Sequence, residues 1–412
     1  MDIGLTAKNR WLIIPALAIL TAAVYGAALH DRPFDRQEAL LGSRSQALLA
    51  SGGRDAEGRL LPLFVHAGED RWLAPGQAYM AATAELLSSS PLSPIRWITV
   101  LAGVLDVALM FVLATRIFSS TALGTVAALL LLFTPAHAQF SRSAGPDGVW
   151  PLPLLMVWLL GLVVFSDLSS PFRRPALAIG AIAAAALAYA QPSSALLVPL
   201  FATLSLVVLY KAGQWHWRDV RPACVVFVIT LAPLALWFVL HQSAYPDTFG
   251  RWLVHLAHVR QPLAGLRAAT SGLTVASVSA TYWDYFSPAY LFMNGNAGGF
   301  AGVFLIPVAG LLIAGGWTIT RSGAKQWMGR PVDFLLLGGF LCAPLVAATF
   351  KEPRVTGRAL VIVPFGVLLA TRGLEMIRSR PGAARRILIA LLLIAAACQF
   401  FFWYRELLGV HS

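Results

Sequence analysis

The sequence predicts an all-α polytopic membrane protein, crossed by about eleven helices, with a large polar loop after the first. Three observations carry this. The 412 residues are 58% apolar and 12% charged, half the roughly 25% charge of soluble domains, and mean hydropathy is +0.71. Runs long enough to span a bilayer recur along the whole chain. The acids cluster instead between the first two runs, at Asp31, Asp35, Glu38, Asp55, Glu57, Glu69, Asp70 and Glu85.

In chain order, Lys8 and Arg10 precede an apolar run at 11–29. It is longer than the ~7–15 residues of a signal-peptide core, so it reads as an uncleaved first helix. Further runs follow at 95–117, 120–138, 148–166, 175–191, 194–210, 222–241, 299–318, 333–350, 359–375 and 386–404. Basic residues collect in alternate short connections: Arg116, Arg173 and Arg174, Lys211, Arg218 and Arg221, Arg321, Lys325 and Arg330, then Arg378, Arg380, Arg385 and Arg386. With these inside, the N-terminus is cytoplasmic. Two long polar loops, 30–94 and 242–298, then fall outside, as does the C-terminus. The chain reads as one integral membrane domain, 1–412.

Composition also excludes. The net charge of +12 comes in short clusters between apolar runs, without the aromatic-interleaved pattern of a nucleic-acid surface. Cys224, Cys342 and Cys398 sit inside apolar runs, without disulfide or metal-ligand spacing. No Walker A, GxGxxG or GxSxG motif occurs. In the second loop, Phe249, Trp252, Leu253 and Leu256 share a helical face, which suggests an interfacial helix. His255 and His258 beside it suit a headgroup boundary better than a metal.

Five segments carry a family resemblance. In order they are QEALLGSRSQALLASGGRD, RLLPLFVHAGEDRWLAPGQAY, TPAHAQFSRSAGPD, TYWDYFSPAYLFMNGN and GRALVIVPFGVLLATRGLE. Together they resemble the GT-C glycosyltransferases, specifically bacterial relatives of dolichyl-phosphate-mannose–protein mannosyltransferases and the lipid A aminoarabinose transferase. The resemblance implies a GT-C type fold in the bacterial inner membrane, with its site on the periplasmic face. It implies a polyprenyl-phosphate-linked sugar as donor, a glycan, lipid or protein as acceptor, and membrane lipids as surroundings. Transfer would be inverting and without nucleotide, a first-loop acid taking the acceptor proton and basic groups steadying the lipid phosphate. No cofactor is expected; a divalent metal stays open. The chain departs from the pattern in three places. Gln37-Glu38 stands where the family has Asp-Glu, Gly295-Asn296 replaces Gly-Asp, and Val355 and Thr356 occupy a region that often holds a histidine.

Glycosyl transfer needs a base within reach of the acceptor oxygen. Asp35 and Glu38 are three apart and share a face if a helix starts there, and either can serve. Set against that, they are solvated loop acids, with Asp35 capping a helix from Arg36. Asp55, in GGRDAEG, is a substrate contact or an ordinary turn acid. Arg142 and Asp147 frame an outer turn, as a phosphate-binding arginine with a second site acid or as a surface pair. Lys351, Arg354 and Arg358 form a cluster suited to a departing phosphate or to headgroups; in the resemblance, Arg358 best matches. Asp106, mid-helix, is costly at that depth. It is the best evidence for the alternative, a transporter or flippase of a lipid-linked substrate. A catalytically silent scaffold is the third reading.

Overall fold

The structure, a computed structural model, describes residues 7–29, 35–68, 71–86, 93–145, 148–241, 272–293, 301–321, 331–349, 355–379 and 382–409. The interfacial stretch with His255 and His258, and Glu69, Asp70, Asp147, Lys351 and Arg354, lie outside them.

Helices dominate. The first is α1 (Ala7–Gly26), then α2 (Arg36–Ala50), a hairpin of β1 (Val65–Gly68) and β2 (Arg71–Leu73), and α3 (Pro75–Leu86). The bundle continues with α4 (Ser93–Phe118), α5 (Thr121–Leu132), α6 (Pro135–Ser141), α7 (Pro151–Ser166) and α8 (Arg173–Ala190). After a 3-10 turn at Pro192–Leu196 come α9 (Leu197–Lys211), α10 (Trp217–Leu240) and α11 (Gly272–Asp284). A π-turn at Ala289–Met293 precedes α12 (Val308–Arg321), α13 (Pro331–Thr349), the short α14 (Thr356–Ala359), α15 (Ile362–Ser379) and α16 (Ala383–Leu407). Among the described residues, five helices are long and apolar enough to cross a membrane, or six if α5 and α6 form one broken span.

Two expected straight helices are not straight. The run at 120–138 bends by 64° between α5 and α6. Pro135 has no N–H to continue the ladder, and it holds Thr134 extended at ψ 120°. The run at 299–318 becomes helical only at Val308. From 301 to 307 the chain is irregular, with bends and a turn, Val303 N–H donating to Tyr290 O and Phe304 N–H to Leu291 O. Gly302 is required there, because a Cβ would lie 2.3 Å from the Phe292 nitrogen.

Small residues let the helices touch, as expected where lipid offers no hydrophobic drive between them. Gly315 on α12 faces α15 so closely that a Cβ would sit 1.9 Å from Leu369 O. Gly310, on the same helix, has nothing within 4 Å of its virtual Cβ. Gly315→Ala is expected to lower thermal stability in detergent by ~1–3 kcal/mol through overpacking, and Gly310→Ala to leave it unchanged. Equal midpoints for the two variants would contradict this packing.

The stretch between α1 and α4 folds on itself. Leu41 from α2, Val65, Ala67 and Leu73 from the hairpin, and Ala78, Ala81 and Ala84 from α3 form a small core. Ile95 and Ala144 from the bundle close it. This core seats α2 against the turn that follows α6.

Candidate active site

The site is built at the bundle end where α1 stops and α4 begins. The helix α2 starts as the pattern Asp-x-x-Glu dictates. Asp35 is its N-cap, and Asp35 Oδ1 accepts the Gln37 and Glu38 amides, both at 2.8 Å. Glu38 Oε2 returns the bond to the Asp35 amide at 3.2 Å. Burial then separates two acids that are equivalent in the sequence.

Glu38 is 1% exposed and fully engaged. Arg96, also 1% exposed, donates from Nη2 to Oε2 at 2.6 Å and from Nε to Oε1 at 3.1 Å. The Ala144 amide donates to Oε1 at 2.9 Å. Burial alone would raise the Glu38 carboxyl, but the Arg96 and backbone donors outweigh it and hold it below its ordinary value. Asp35 is exposed. Its Oδ1 takes both cap bonds, and Oδ2 accepts none among the described residues. Gln37, exposed beside it, brings its Oε1 to 3.5 Å from a virtual Cβ on Gly145.

Arg142 is 2% exposed and caps a helix. It donates to Tyr25 O at 2.7 Å, Val24 O at 3.1 Å and Ala27 O at 2.7 Å. These are carbonyls at the end of α1, where a cation also suits the helix dipole. Arg96 Nη1 reaches Leu29 O at 2.9 Å, so two buried arginines receive the end of α1. Nothing in the sequence reading singled out Arg96. The available signal was a lone arginine at the start of an apolar run, on the side to which the charge pattern assigns few basic residues.

Asp55 lies apart from α2's start. Its Oδ1 accepts the Glu57 and Arg59 amides, and its Oδ2 pairs with Arg59 Nε at 2.6 Å. Burial pulls its carboxyl upward, and the Arg59 bonds pull it further down, to a net value below the usual one. Arg59 in turn stands 6.0 Å over the Trp237 ring on α10. Asp55 therefore builds a tight turn pinned to the bundle. Asp55→Ala is expected to raise proteolytic nicking at 51–61 while costing about 1–3 kcal/mol locally. Unchanged nicking would contradict a pinned turn.

Arg358 is half-buried on α14. Two bonds tie motif residues to segments just outside the motifs: Ala136 belongs to the third and Tyr285 to the fourth, while Val303 follows the fourth and Val355 precedes the fifth. Ala136 N–H donates to Val303 O at 3.4 Å, and Val355 N–H donates to the Tyr285 hydroxyl at 3.2 Å.

Asp106, alone in the sequence, has a partner in space. It is fully buried, and its Oδ2 lies 3.1 Å from His137 Nε2 on α6. His137 stands inside the third motif, yet only the bend between α5 and α6 turns it toward α4. Among the described residues, no group of three or more His, Cys, Asp or Glu is placed to hold a metal ion. An apolar cavity of ≈540 Å³ lies between α3, α4, α7 and α8, lined by Met80, Leu101, Leu105, Trp150, Leu154 and Tyr189.

The helices and their apolar lengths make this a helical membrane protein, and its fold is similar to that of ArnT. The particular likenesses bear out the resemblance carried by the five motifs. A family model for dolichyl-phosphate-mannose-protein mannosyltransferase matches residues 54–249. The crystal structure of ArnT from Cupriavidus metallidurans bound to undecaprenyl phosphate superposes with a TM-score of 0.55 at 17% identity, over 95% of this chain. The apo ArnT structure from the same organism gives 0.61 at 15% identity, over 98%. The chain spans 64% of the length of the first ArnT chain and 76% of the second. No curated protein sequence matches significantly. The family match begins at Arg54, so it does not reach Asp35 or Glu38.

Proposed function

We propose that this chain is a membrane glycosyltransferase that moves a sugar from a polyprenyl-phosphate-linked donor to an acceptor hydroxyl. The observation that carries the reading is an ArnT-like fold with an exposed N-cap carboxylate, Asp35, presented beside a neighbour that is tied down. In this reading the chain crosses the inner membrane eleven times, and α2, the hairpin and α3 form its first periplasmic loop. Asp35 Oδ2 takes the proton from the acceptor hydroxyl. The acceptor oxygen then attacks the anomeric carbon, the carbon–oxygen bond to phosphate breaks, and the configuration inverts. Arg358 and Arg354 steady the charge that grows on the leaving phosphate. Asp147 and the Gln37 amide bind sugar or acceptor hydroxyls, and the apolar cavity beside α3 takes an isoprenoid or acyl chain. Glu38 and Arg142 act through position. The transport alternative needs Asp106 accessible, and its complete burial against His137 does not favour that.

Purified protein in proteoliposomes, supplied with undecaprenyl-phosphate-linked sugars and envelope lipid or glycan acceptors, is expected to release the lipid phosphate and glycosylate one acceptor class. Mass spectrometry of lipids and glycans from cells with and without the protein names the sugar. Sugar-lipid flux without any transfer would overturn the enzyme reading.

A further inference from the structure

The buried pair of Asp106 and His137 is not used by the reaction described above, yet its surroundings are closely specified. Tyr25 O–H lies 2.8 Å from Leu132 O, which can only accept, and 2.7 Å from His137 Nδ1. With the Tyr25 hydroxyl donating to Leu132 O, its oxygen accepts from Nδ1–H. His137 Nε2 and Asp106 Oδ2 then share a single proton, and the pair is neutral whichever atom holds it. That suits a site 0% exposed within a helix bundle.

From this pair a ladder climbs α6. Four residues beyond His137, Ser141 packs on Gly103, one turn from Asp106; a Gly103 Cβ would lie 2.5 Å from Ser141 Oγ and 3.0 Å from Tyr25 Cδ2. Arg142 then holds the end of α1, and the Ala144 amide holds Glu38. Gly145 faces Gln37, two residues from Asp35. The short α6 breaks sharply from α5, so its direction depends on these rungs rather than on continuous helix.

We propose that Asp106 and His137 are the inner anchor of this ladder and act as positioning residues for Asp35. The proposal rests on the proposed function for its catalytic consequence, but not for its geometry.

The test has two arms. In a background with Cys224, Cys342 and Cys398 replaced by serine, Gln37→Cys with Gly145→Cys reports the spacing of α2 and the α6 turn by oxidative crosslinking. Asp106→Ala is expected to slow crosslinking at least about tenfold through lost proximity. Asp106→Asn, whose amide can donate to His137 Nε2, is expected to crosslink at the parental rate. Gly103→Ala leaves both anchor residues chemically intact and is expected to slow crosslinking as well. It also serves if Asp106→Ala does not fold. In the transfer assay, with native Gln37 and Gly145, Asp106→Ala is expected to lower kcat at least about tenfold with donor KM nearly unchanged, and Asp106→Asn to regain it. Parental crosslinking in both disrupting variants would overturn the ladder. An Asp106→Asn protein as impaired as Asp106→Ala would overturn positioning in favour of proton chemistry. If the parent transfers no sugar, the proposed function fails and crosslinking alone decides the ladder.

Discussion

Replacing Asp35 by Asn is expected to lower the proposed sugar transfer at least about a hundredfold and to leave the bundle standing. The two halves of this expectation have separate causes. General bases contribute ~100- to 10,000-fold to rate, and an amide cannot take a proton at neutral pH. Asn is also among the best N-cap residues, so the bonds from the Gln37 and Glu38 amides to the side-chain oxygen survive the change. Stability should therefore fall by no more than a few tenths of a kcal/mol. Initial transfer rates and thermal midpoints on the same preparations decide it. Undiminished transfer would remove Asp35 as the base, and Gln37→Asp is the paired measurement. A carboxylate placed there would face Gly145, and a gain of activity would show that the site still accepts the more usual arrangement.

The parts legible from sequence were those set by local chemistry. Apolar length placed most of the bundle helices but not α3 or α11, which lie in stretches read as polar loops, and Asp35 caps a helix from Arg36, one of the two readings the sequence offered. The run at 120–138 reads as one helix; Pro135 breaks it, and the 64° angle depends on what α6 packs against. Long-range pairing was hidden. Arg96 and Glu38 are 58 positions apart, and Asp106 and His137 are 31 apart. No local pattern links either pair. Arg142 reads as a phosphate ligand or as a surface partner of Asp147 in an outer turn, because sequence cannot show that the orphaned carbonyls of α1 arrive beside it. The exposure difference between Asp35 and Glu38 was equally out of reach. It follows from one turn of helix, which sends Glu38 under Ala144 while the cap stays at the surface.

The largest stability effect is expected at that buried pair. Removing one partner leaves an uncompensated charge where exposure is 1%, and such losses run to ~3–5 kcal/mol. Arg96→Met should be severe, because it also frees the Leu29 carbonyl. Glu38→Leu should match it, since the Arg96 charge and the Ala144 amide both lose their acceptor. The double variant Glu38→Leu with Arg96→Met is expected to be less destabilised than the sum of the two, because no charge is left buried. Strict additivity in thermal or denaturant unfolding would mean that the pair does not act as a unit. The pH dependence has a defined sign. Glu38 sits below its ordinary value in the folded protein, so the folded state prefers the ionised form. Its contribution is complete above the unfolded value of about 4.3 and is lost as pH falls through the depressed folded value. Wild type should lose stability in that acidic window, and the double variant should lose less. Glu38→Gln completes the contrast with Asp35→Asn. It keeps the shape, strands the Arg96 charge and shifts the start of α2, so stability and transfer should fall together, whereas at Asp35 transfer should fall alone.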